Sequence, residues 1–346
     1  MKILFILKRR EDYNQELHSK HGLETGLYNS ARFIYNMLQN NNIDSKMAVV
    51  TDNNDIDKEI NLYKPDYVII EALWVVPTKF AILTRLHPNV KWIIRLHSEM
   101  PFMAQEGIAM DWILEYSNFK NIIIAANAPR MLRDVEIIMK AKGTYRGDNL
   151  IYLPNYYKSE QRKKPIVRTE SLNFSCFGAI RPLKNHLIQA IAAIEFANKI
   201  HKPLNFHINA DRYEGNGLPV FHNLKDLFQQ LDPDRFNLVL HPWTSHSQFI
   251  DLCHSMDLGL QVSFSETFNI VAADHLSMGV PVVGSVEIPF IDKGYAADPT
   301  SVHDIYEKIF KSYLNPNLNV KINTEHLKKY IDKTENIWIN YFKENT

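Results

Sequence analysis

The part of this chain that most constrains its fold is residues 262–284, where a strand, a loop, a helix and a second strand follow one another. The apolar run DLGLQV ends at Val262 and is typical of a buried strand, and the polar loop SFSETFN follows it. Apolar residues then recur at near-helical spacing from Ile270, Gly279 stops the helix, and Pro281 opens the next strand. This order predicts one repeat of an open α/β sheet.

The loop between the first strand and the helix is a candidate phosphate site. In open α/β sheets, ligands bind at the carboxyl ends of the strands, and a helix N-terminus presents free N–H groups to anions. Glu266 precedes the helix and Asp274 lies inside it, roughly 8 Å further along the axis at about 1.5 Å per residue. That separation suits two hydroxyl-rich parts of one ligand. The alternative is that Glu266 caps the helix and Asp274 is a solvated helix residue.

This segment resembles the signature of the retaining glycosyltransferases of family 4, which have the GT-B fold. The resemblance implies that Glu266 holds the hydroxyls of the transferred sugar and that Asp274 holds the ribose of the nucleotide. It also implies that the backbone at Phe268, Asn269 and Ile270 binds the donor diphosphate. Two residues depart from the family pattern, because Asn269 stands where Gly is usual and Asp274 is one methylene shorter than the usual Glu.

A second match to this family lies at FSCFGAIRPLKNH, residues 174–186. The family has a loop there whose Arg and Lys neutralise the departing diphosphate. Gly178 makes the turn, and Lys184 follows it at the spacing that the family requires. Ala179 occupies the place of the family Arg, so the resemblance gives that role to Arg181, two residues further on. A guanidinium can bind phosphate through two hydrogen bonds. The alternative for both cations is a solvated loop.

The first half of the chain alternates between strand-like and helix-like runs. Strands are predicted at MKILFIL, SKMAVV, DYVIIEA, KWIIRLHS and NIIIAAN, with helical segments between them, which indicates a Rossmann-like domain. Gly22 lies in a first loop that resembles the glycine-containing loop of GT-B enzymes near the donor phosphates. His97 ends a strand where family 4 commonly has a His in contact with the sugar, and a structural hydrogen bond is the alternative role.

The resemblance implies an α/β fold of the GT-B type. Two Rossmann-like domains with parallel sheets would face a central cleft, and a C-terminal helix would cross back to the first domain. We expect an acceptor-side domain over 1–155, a linker over 156–170, a nucleotide-sugar domain over 171–322 and the returning helix over 323–346. The linker is predicted where apolar periodicity ceases and a basic run begins.

Composition narrows the class of protein further. With 346 residues and 45 % hydrophobic composition, the chain is long enough for two cores. Lys plus Arg and Asp plus Glu each total 39, which argues against a purely electrostatic nucleic-acid binder. Two cysteines make neither a disulfide framework nor a zinc site. No secretory or membrane-spanning segment stands out, so the predicted location is the cytoplasm, which is the host's if a phage encodes the chain.

The resemblance to family 4 implies a retaining hexosyl- or pentosyltransferase that uses a nucleoside-diphosphate sugar as co-substrate, with no metal ion and no cofactor. The runs VIIEALWVVPTKF and QVSFSETFNIVAADH resemble glycosyltransferase-like proteins of tailed bacteriophages and some bacteria. That resemblance makes hydroxymethylated pyrimidines in DNA one candidate acceptor, and a glycan or lipid-linked saccharide is the other. A nucleotide-sugar epimerase or a non-catalytic sugar-nucleotide binding protein is the alternative of another class. No protein partner can be inferred.

Overall fold

The computed structural model describes residues 1–9, 26–158, 161–162, 164 and 170–344. The chain divides into two compact units. Unit 1 is Met1–Tyr157 with Ile331–Thr346, and unit 2 is Lys158–Tyr330.

The described strands of unit 1 form a six-stranded sheet in which every pair is parallel, in the order β2-β1-β3-β4-β5-β6. Five of these strands, β1 to β5, lie at the predicted runs. The strands are β1 (Lys2–Lys8), β2 (Asp44–Val50), β3 (Tyr67–Glu71), β4 (Lys91–Leu96), β5 (Ile122–Ala126) and β6 (Leu150–Tyr152).

Helices connect these strands and cover both faces of the sheet. In β1, the side chains of Leu4 and Ile6 join one core, whereas Ile3 and Phe5 on the opposite face join another. A strand that is buried on both faces reads as a continuous apolar run, which is why MKILFIL does not alternate with polar residues. The helices are α1 (Gly26–Asn40), α2 (Asp55–Tyr63), α3 (Pro77–Leu86), α4 (Met100–Met103), α5 (Ala109–Tyr116) and α6 (Pro129–Lys142).

Unit 2 repeats this architecture with its own parallel sheet, in the order β12-β11-β10-β7-β8-β9. The strands are β7 (Leu172–Ser175), β8 (Leu204–Asn209), β9 (Phe236–His241), β10 (Leu258–Gln261), β11 (Val282–Ser285) and β12 (Ala296–Ala297). The helices are α7 (His186–Lys199), α8 (Gly217–Gln229), α9 (His246–Ser255), α10 (Ile270–Ser277) and α11 (Val302–Leu314). The predicted strand, loop, helix and strand over 262–284 are confirmed as β10, α10 and β11.

The last helix, α12 (Pro316–Glu344), contributes to both units, because unit 1 takes its residues from Ile331 onward. Trp338 and Phe342 are fully buried in the core of unit 1 that β1 and α1 also line. In unit 2, Asn319 of the same helix exchanges two hydrogen bonds with the backbone of Val282 in β11, at 3.0 and 2.9 Å. The predicted return of the C-terminal helix to the first domain is therefore confirmed.

Candidate functional site

A residue in the left-handed region shapes the loop between β10 and α10. Asn269 takes φ 68° and ψ 86°, a conformation that Asn adopts more readily than most residues. Its Oδ1 accepts a hydrogen bond from the N–H of Ala272 at 2.9 Å, so Asn269 caps the N-terminus of α10. Asn269 therefore both takes the conformation of the turn and caps the helix.

His275 seats α10 against the sheet. Its Nδ1 donates to the carbonyl of Val271 at 2.8 Å, and its Nε2 lies 2.7 Å from Ser175 Oγ, from which it accepts. Burial lowers the pKa of His275 to about 4, so the ring is neutral near pH 7. A Cβ atom on Gly259 of β10 would lie 2.8 Å from this ring, so a larger residue cannot fit there without displacing it. This packing places the N-terminus of α10 at the carboxyl end of β10.

Lys184 and Glu266 form an ion pair at this edge of the sheet. The Lys184 ammonium donates to Glu266 Oε1, and the two side chains are only 12 % and 8 % exposed. The same carboxylate oxygen accepts a hydrogen bond from Asn269 Nδ2 at 3.2 Å, and that amide also donates to Gln261 Oε1 at 2.9 Å. The two predicted site residues therefore contact each other directly, and Glu266 also contacts the cap residue of α10.

Opposing effects act on the charge of Glu266. Burial raises the pKa of the Glu266 carboxyl, whereas the positive charges of Lys184 and Arg181 and the hydrogen bond from Lys184 lower it. The cations prevail, so the pKa lies below its ordinary value and Glu266 is ionised at neutral pH. The site thus contains a carboxylate and an ammonium group that are both largely buried from solvent.

The loop that carries Lys184 turns at residues with positive φ. Gly178 has φ 119°, which favours glycine, and its N–H donates to Asn209 Oδ1 at 2.9 Å. A short 3₁₀ turn over Pro182–Lys184 follows, and Asn185 at φ 60° leads into α7. This geometry places the Lys184 stem directly over the turn, because a Cβ atom on Gly178 would lie 3.9 Å from Lys184 Cε.

Arg181 lies in the same loop and contacts an acid from another one. Its Nη1 donates to Glu214 Oε2 at 3.3 Å, and the other oxygen of Glu214 accepts from Arg212 Nη2 at 2.7 Å. The side chain of Arg181 is 22 % exposed. The backbone carbonyl of Arg181 accepts a hydrogen bond from the N–H of Lys184 at 3.0 Å, and the positive charge of Arg181 lowers the pKa of Glu266.

Asp274 is almost fully buried inside α10 and contacts a histidine that the sequence did not reveal. Asp274 Oδ1 lies 3.0 Å from His246 Nε2, and the two side chains are 1 % and 18 % exposed. His246 is the first residue of α9. A capping box between Ser245 and Gln248 fixes the N-terminus of that helix. That capping signal predicts where α9 begins, but no local pattern predicts that His246 reaches Asp274.

Phe268 and Ile270 bring their backbone to the site. The Phe268 ring is buried against Phe290 and Tyr330, with centroid distances of 5.1 and 5.3 Å. Ile270 is the first residue of α10. Since the Phe268 ring packs in the interior, a role for residues 268–270 in anion binding falls to their N–H groups.

His186 is a second residue that sequence reasoning missed. It is fully buried at the start of α7, and neither ring nitrogen has a hydrogen-bond partner among the described residues. Burial and the charges of Lys184 and Arg181 lower the pKa of His186 to about 3. The ring is therefore neutral and adds no charge beside the cations.

His97 lies in unit 1, just after the carboxyl end of β4, where it contacts a buried acid. Its Nε2 contacts Glu71 Oε2, and Arg95 Nη1 donates to the same oxygen at 3.0 Å. Glu71 and Arg95 are fully buried. Burial raises the pKa of Glu71, but Arg95 and His97 lower it further, so the carboxyl is ionised. The carboxylate orients the His97 ring, which is consistent with the structural alternative and leaves the sugar contact a prediction.

Unit 2 brings six of the predicted site residues together. They are the Lys184–Glu266 pair and the residues that lie next to it or form the turn and the cap around it. These are Gly178, Arg181, Lys184, Glu266, Asn269 and Ile270. Gly22 lies outside the described residues. The roles given to the site residues remain predictions.

Comparisons with known proteins show what this architecture is similar to. No protein-family model matches the sequence, and no curated protein matches it. Sucrose-phosphate synthase from Thermosynechococcus elongatus matches in structure with a TM-score of 0.70 at 11 % identity, over 99 % of this chain and 99 % of that one. Trehalose-6-phosphate synthase OtsA matches with a TM-score of 0.71 at 10 % identity, over 99 % and 98 %. The predicted GT-B fold is therefore confirmed.

A third structure, TarM from S. aureus in complex with fondaparinux, α-GlcNAc-glycerol and UDP, matches over 80 % of this chain and 54 % of that one. Its TM-score is 0.60 and its identity 15 %. At such identities the likeness shows the fold alone. In the part of the chain that the structure describes, no helix combines the length and the apolar character needed to cross a membrane.

Proposed function

We propose that this protein is a retaining glycosyltransferase that moves a sugar from a nucleoside diphosphate to an acceptor hydroxyl. The observation that carries the proposal is the Lys184–Glu266 pair at the capped N-terminus of α10, in a chain with the GT-B fold. The pair sets a cation for phosphate beside a carboxylate for sugar hydroxyls. The names of the similar structures support the same class, since they include sugar-phosphate synthases and a complex with UDP.

The proposed chemistry is a transfer on one face of the sugar. The bond between the anomeric carbon and the diphosphate oxygen breaks, and the acceptor oxygen bonds to the same carbon from the same side. The leaving phosphate oxygen takes the proton of the acceptor hydroxyl. Negative charge grows on the diphosphate as the bond breaks, so the preorganised charges of Lys184 and Arg181 stabilise the transition state more than the ground state. No metal ion is part of this proposal.

Glu266 and Asp274 are proposed to position the donor. Glu266 would accept hydrogen bonds from sugar hydroxyls, for which its ionised state suits it. Asp274 would hold the ribose together with His246. The Asp274 side chain is one methylene shorter than that of Glu, and the His246 imidazole beside it would extend the reach of the pair. The N–H groups at 268–270 would contact the diphosphate.

The acceptor is proposed as a hydroxyl of a glycan or lipid-linked saccharide, with hydroxymethylated pyrimidine in DNA as a second arm of the same test. Donor consumption is measured with and without each acceptor over a panel of UDP-, GDP-, ADP- and dTDP-sugars. UDP-sugars come first because UDP occurs in the names of similar structures. Transfer that needs an acceptor supports the proposal. Donor turnover without any acceptor indicates an epimerase or hydrolase, and binding without turnover indicates a non-catalytic protein.

The Lys184→Ala variant tests the residue assignment within this assay. We expect it to weaken binding of the nucleoside diphosphate and to slow turnover, because the cation contacts the leaving group in the ground and the transition state. Lys199, at the far end of α7, provides the control variant Lys199→Ala. Wild-type affinity and rate in Lys184→Ala would remove Lys184 from the site.

A further inference from the structure

The Lys184–Glu266 pair bears on which ligand this site binds more tightly, the intact donor or the free nucleoside diphosphate. We propose that Glu266 is an internal counter-ion that competes with the diphosphate for Lys184 and thereby favours the intact donor over the free nucleoside diphosphate. This inference rests on the proposed function and adds to it a role in product release.

Lys184 already pairs with a carboxylate of the protein, that of Glu266. Its ammonium contacts Glu266 Oε1 in a place where the two side chains are 12 % and 8 % exposed. A buried ammonium ion is strongly destabilised without a counter-ion, so this contact supplies what water would otherwise supply. An arriving diphosphate must replace or share that contact.

The arginines of the neighbouring loops are also paired with a carboxylate. Arg181 and Arg212 both donate to the carboxylate of Glu214. With Lys184 and Glu266 the set therefore holds three cations and two carboxylates. A diphosphate carries more negative charge than this small surplus neutralises, so it competes with carboxylates that the protein itself provides.

The intact donor and the free nucleoside diphosphate differ in what they offer to Glu266. An intact donor brings its diphosphate to Lys184 and its sugar hydroxyls to Glu266, so both members of the broken pair gain a new partner. A free nucleoside diphosphate replaces Glu266 at Lys184 but offers the carboxylate no donor. Glu266 then loses the ammonium contact, keeps the hydrogen bond from Asn269 and lies close to the phosphate charge. The carboxylate therefore penalises the product and not the donor.

The test is calorimetric titration of Glu266→Gln with the nucleoside diphosphate that the wild-type protein binds best among UDP, GDP, ADP and dTDP. Glutamine keeps the size of the side chain and removes its charge. We expect affinity to rise about tenfold or more, because coupling between close buried charges commonly exceeds 1.4 kcal/mol, which equals a factor of about ten. Glu266→Ala must change affinity in the same direction, which covers the case in which one variant folds poorly.

A double-mutant cycle with Lys184→Met assigns the effect to the pair. In the Lys184→Met background, Glu266→Gln should leave the affinity for the diphosphate nearly unchanged. The partly exposed pair Glu136–Lys140 of α6 provides the control Glu136→Gln, which should leave the affinity unchanged. Equal or weaker binding by both Glu266 variants would overturn the inference while leaving the proposed function intact. A wild-type protein that binds none of the four nucleotides would instead refute the proposed function.

Discussion

At the scale of single residues, the charged groups of unit 2 that the sequence singled out are each paired with another side chain. Lys184 pairs with Glu266, and Arg181 pairs with Glu214. Asp274 contacts His246. Pairing of this kind stabilises buried charges and means that a ligand must exchange contacts that the protein already makes. Single substitutions therefore report on both members of a pair.

The contact between Asp274 and His246 leads to a prediction about ribose. If the two residues hold the ribose, Asp274→Asn and His246→Gln should each weaken binding of the nucleoside diphosphate by about tenfold or more, as expected when a buried hydrogen bond is lost. Inorganic pyrophosphate, which has no ribose, should bind both variants as it binds the wild type. Calorimetry with the two ligands measures this difference. Asp251→Asn, on the exposed side of the same helix α9, is the control.

Equal losses for pyrophosphate and nucleotide would contradict the ribose assignment. In that case the pair would support the structure of the site as a whole, since Asp274 is 1 % exposed.

At the scale of elements, both units place charged residues where their strands end, and the helix termini next to them depend on special residues. Asn269 begins α10 in the left-handed region, and Asn185 precedes α7 at φ 60°. These positions decide the direction in which each helix leaves its loop. Stability measurements at such residues separate the cost of the backbone conformation from that of the cap.

Asn269 provides that separation through two substitutions. Asn269→Gly keeps access to positive φ and loses the cap and the amide contacts, so we expect a loss of less than about 1 kcal/mol. Asn269→Ala loses the same contacts and also meets the penalty of a left-handed residue, for a total of about 2 kcal/mol or more. Urea unfolding of the two variants measures the difference. Equal stability would mean that residue 269 does not need positive φ.

The ends of β3 and β4 carry a buried ion pair that predicts a dependence of stability on pH. The pKa of Glu71 is lowered in the folded state, so the unfolded state binds its proton more tightly. The stabilisation is therefore complete above the ordinary pKa of a glutamate and is lost as the pH falls through the lower pKa of the folded state. Wild-type protein should lose stability across that acidic range.

Glu71→Gln tests this account. It leaves Arg95 buried without its counter-ion, so we expect a loss of about 3–5 kcal/mol at pH 7. The variant should then show a shallower fall in stability with acid than the wild type, because it lacks the carboxyl that titrates. Denaturant unfolding between pH 7 and pH 3 measures both effects, with the partly exposed Glu136→Gln as control. Parallel pH profiles of wild type and Glu71→Gln would contradict the assignment.

At the scale of the whole molecule, each unit has its own cores, and α12 contributes to both. Trp338 of that helix is fully buried, and its Nε1 donates to the carbonyl of Pro154 at 2.8 Å. The centroid of its ring lies 5.3 Å from Cζ of Arg95. Trp338 is therefore part of the core of unit 1. Loss of this contact should destabilise a unit whose strands lie more than a hundred residues earlier in the sequence.

Trp338→Ala should cost about 3–5 kcal/mol, as expected for truncation of a buried tryptophan. We expect hydrogen exchange to accelerate in β1 to β6 and to stay unchanged in β7 to β11, because the core of unit 2 does not contain this residue. Phe206→Ala, in the core of unit 2, should produce the reverse pattern. Faster exchange in both units from either variant would show that the two units unfold together.

The sequence by itself determined the elements of the fold and the position of the candidate site along the chain. Strands β1 to β5 could be predicted because a buried parallel strand is a short apolar run, which is a local property. The helix after Asn269 could be predicted for the same reason, from apolar spacing that ends at Gly279. The resemblance of the segments around Lys184 and Glu266 to a family signature predicted both as site residues.

Only the tertiary structure decided which side chains meet. Lys184 and Glu266 are 82 positions apart, and Asp274 and His246 are 28 apart, so their contacts depend on how separate loops converge at one edge of a sheet. His186 is equally hidden from sequence reasoning, because its neutral state results from burial beside two cations. Local periodicity carries information about burial and chain direction, whereas the pairing of charges depends on distances that only the folded chain sets.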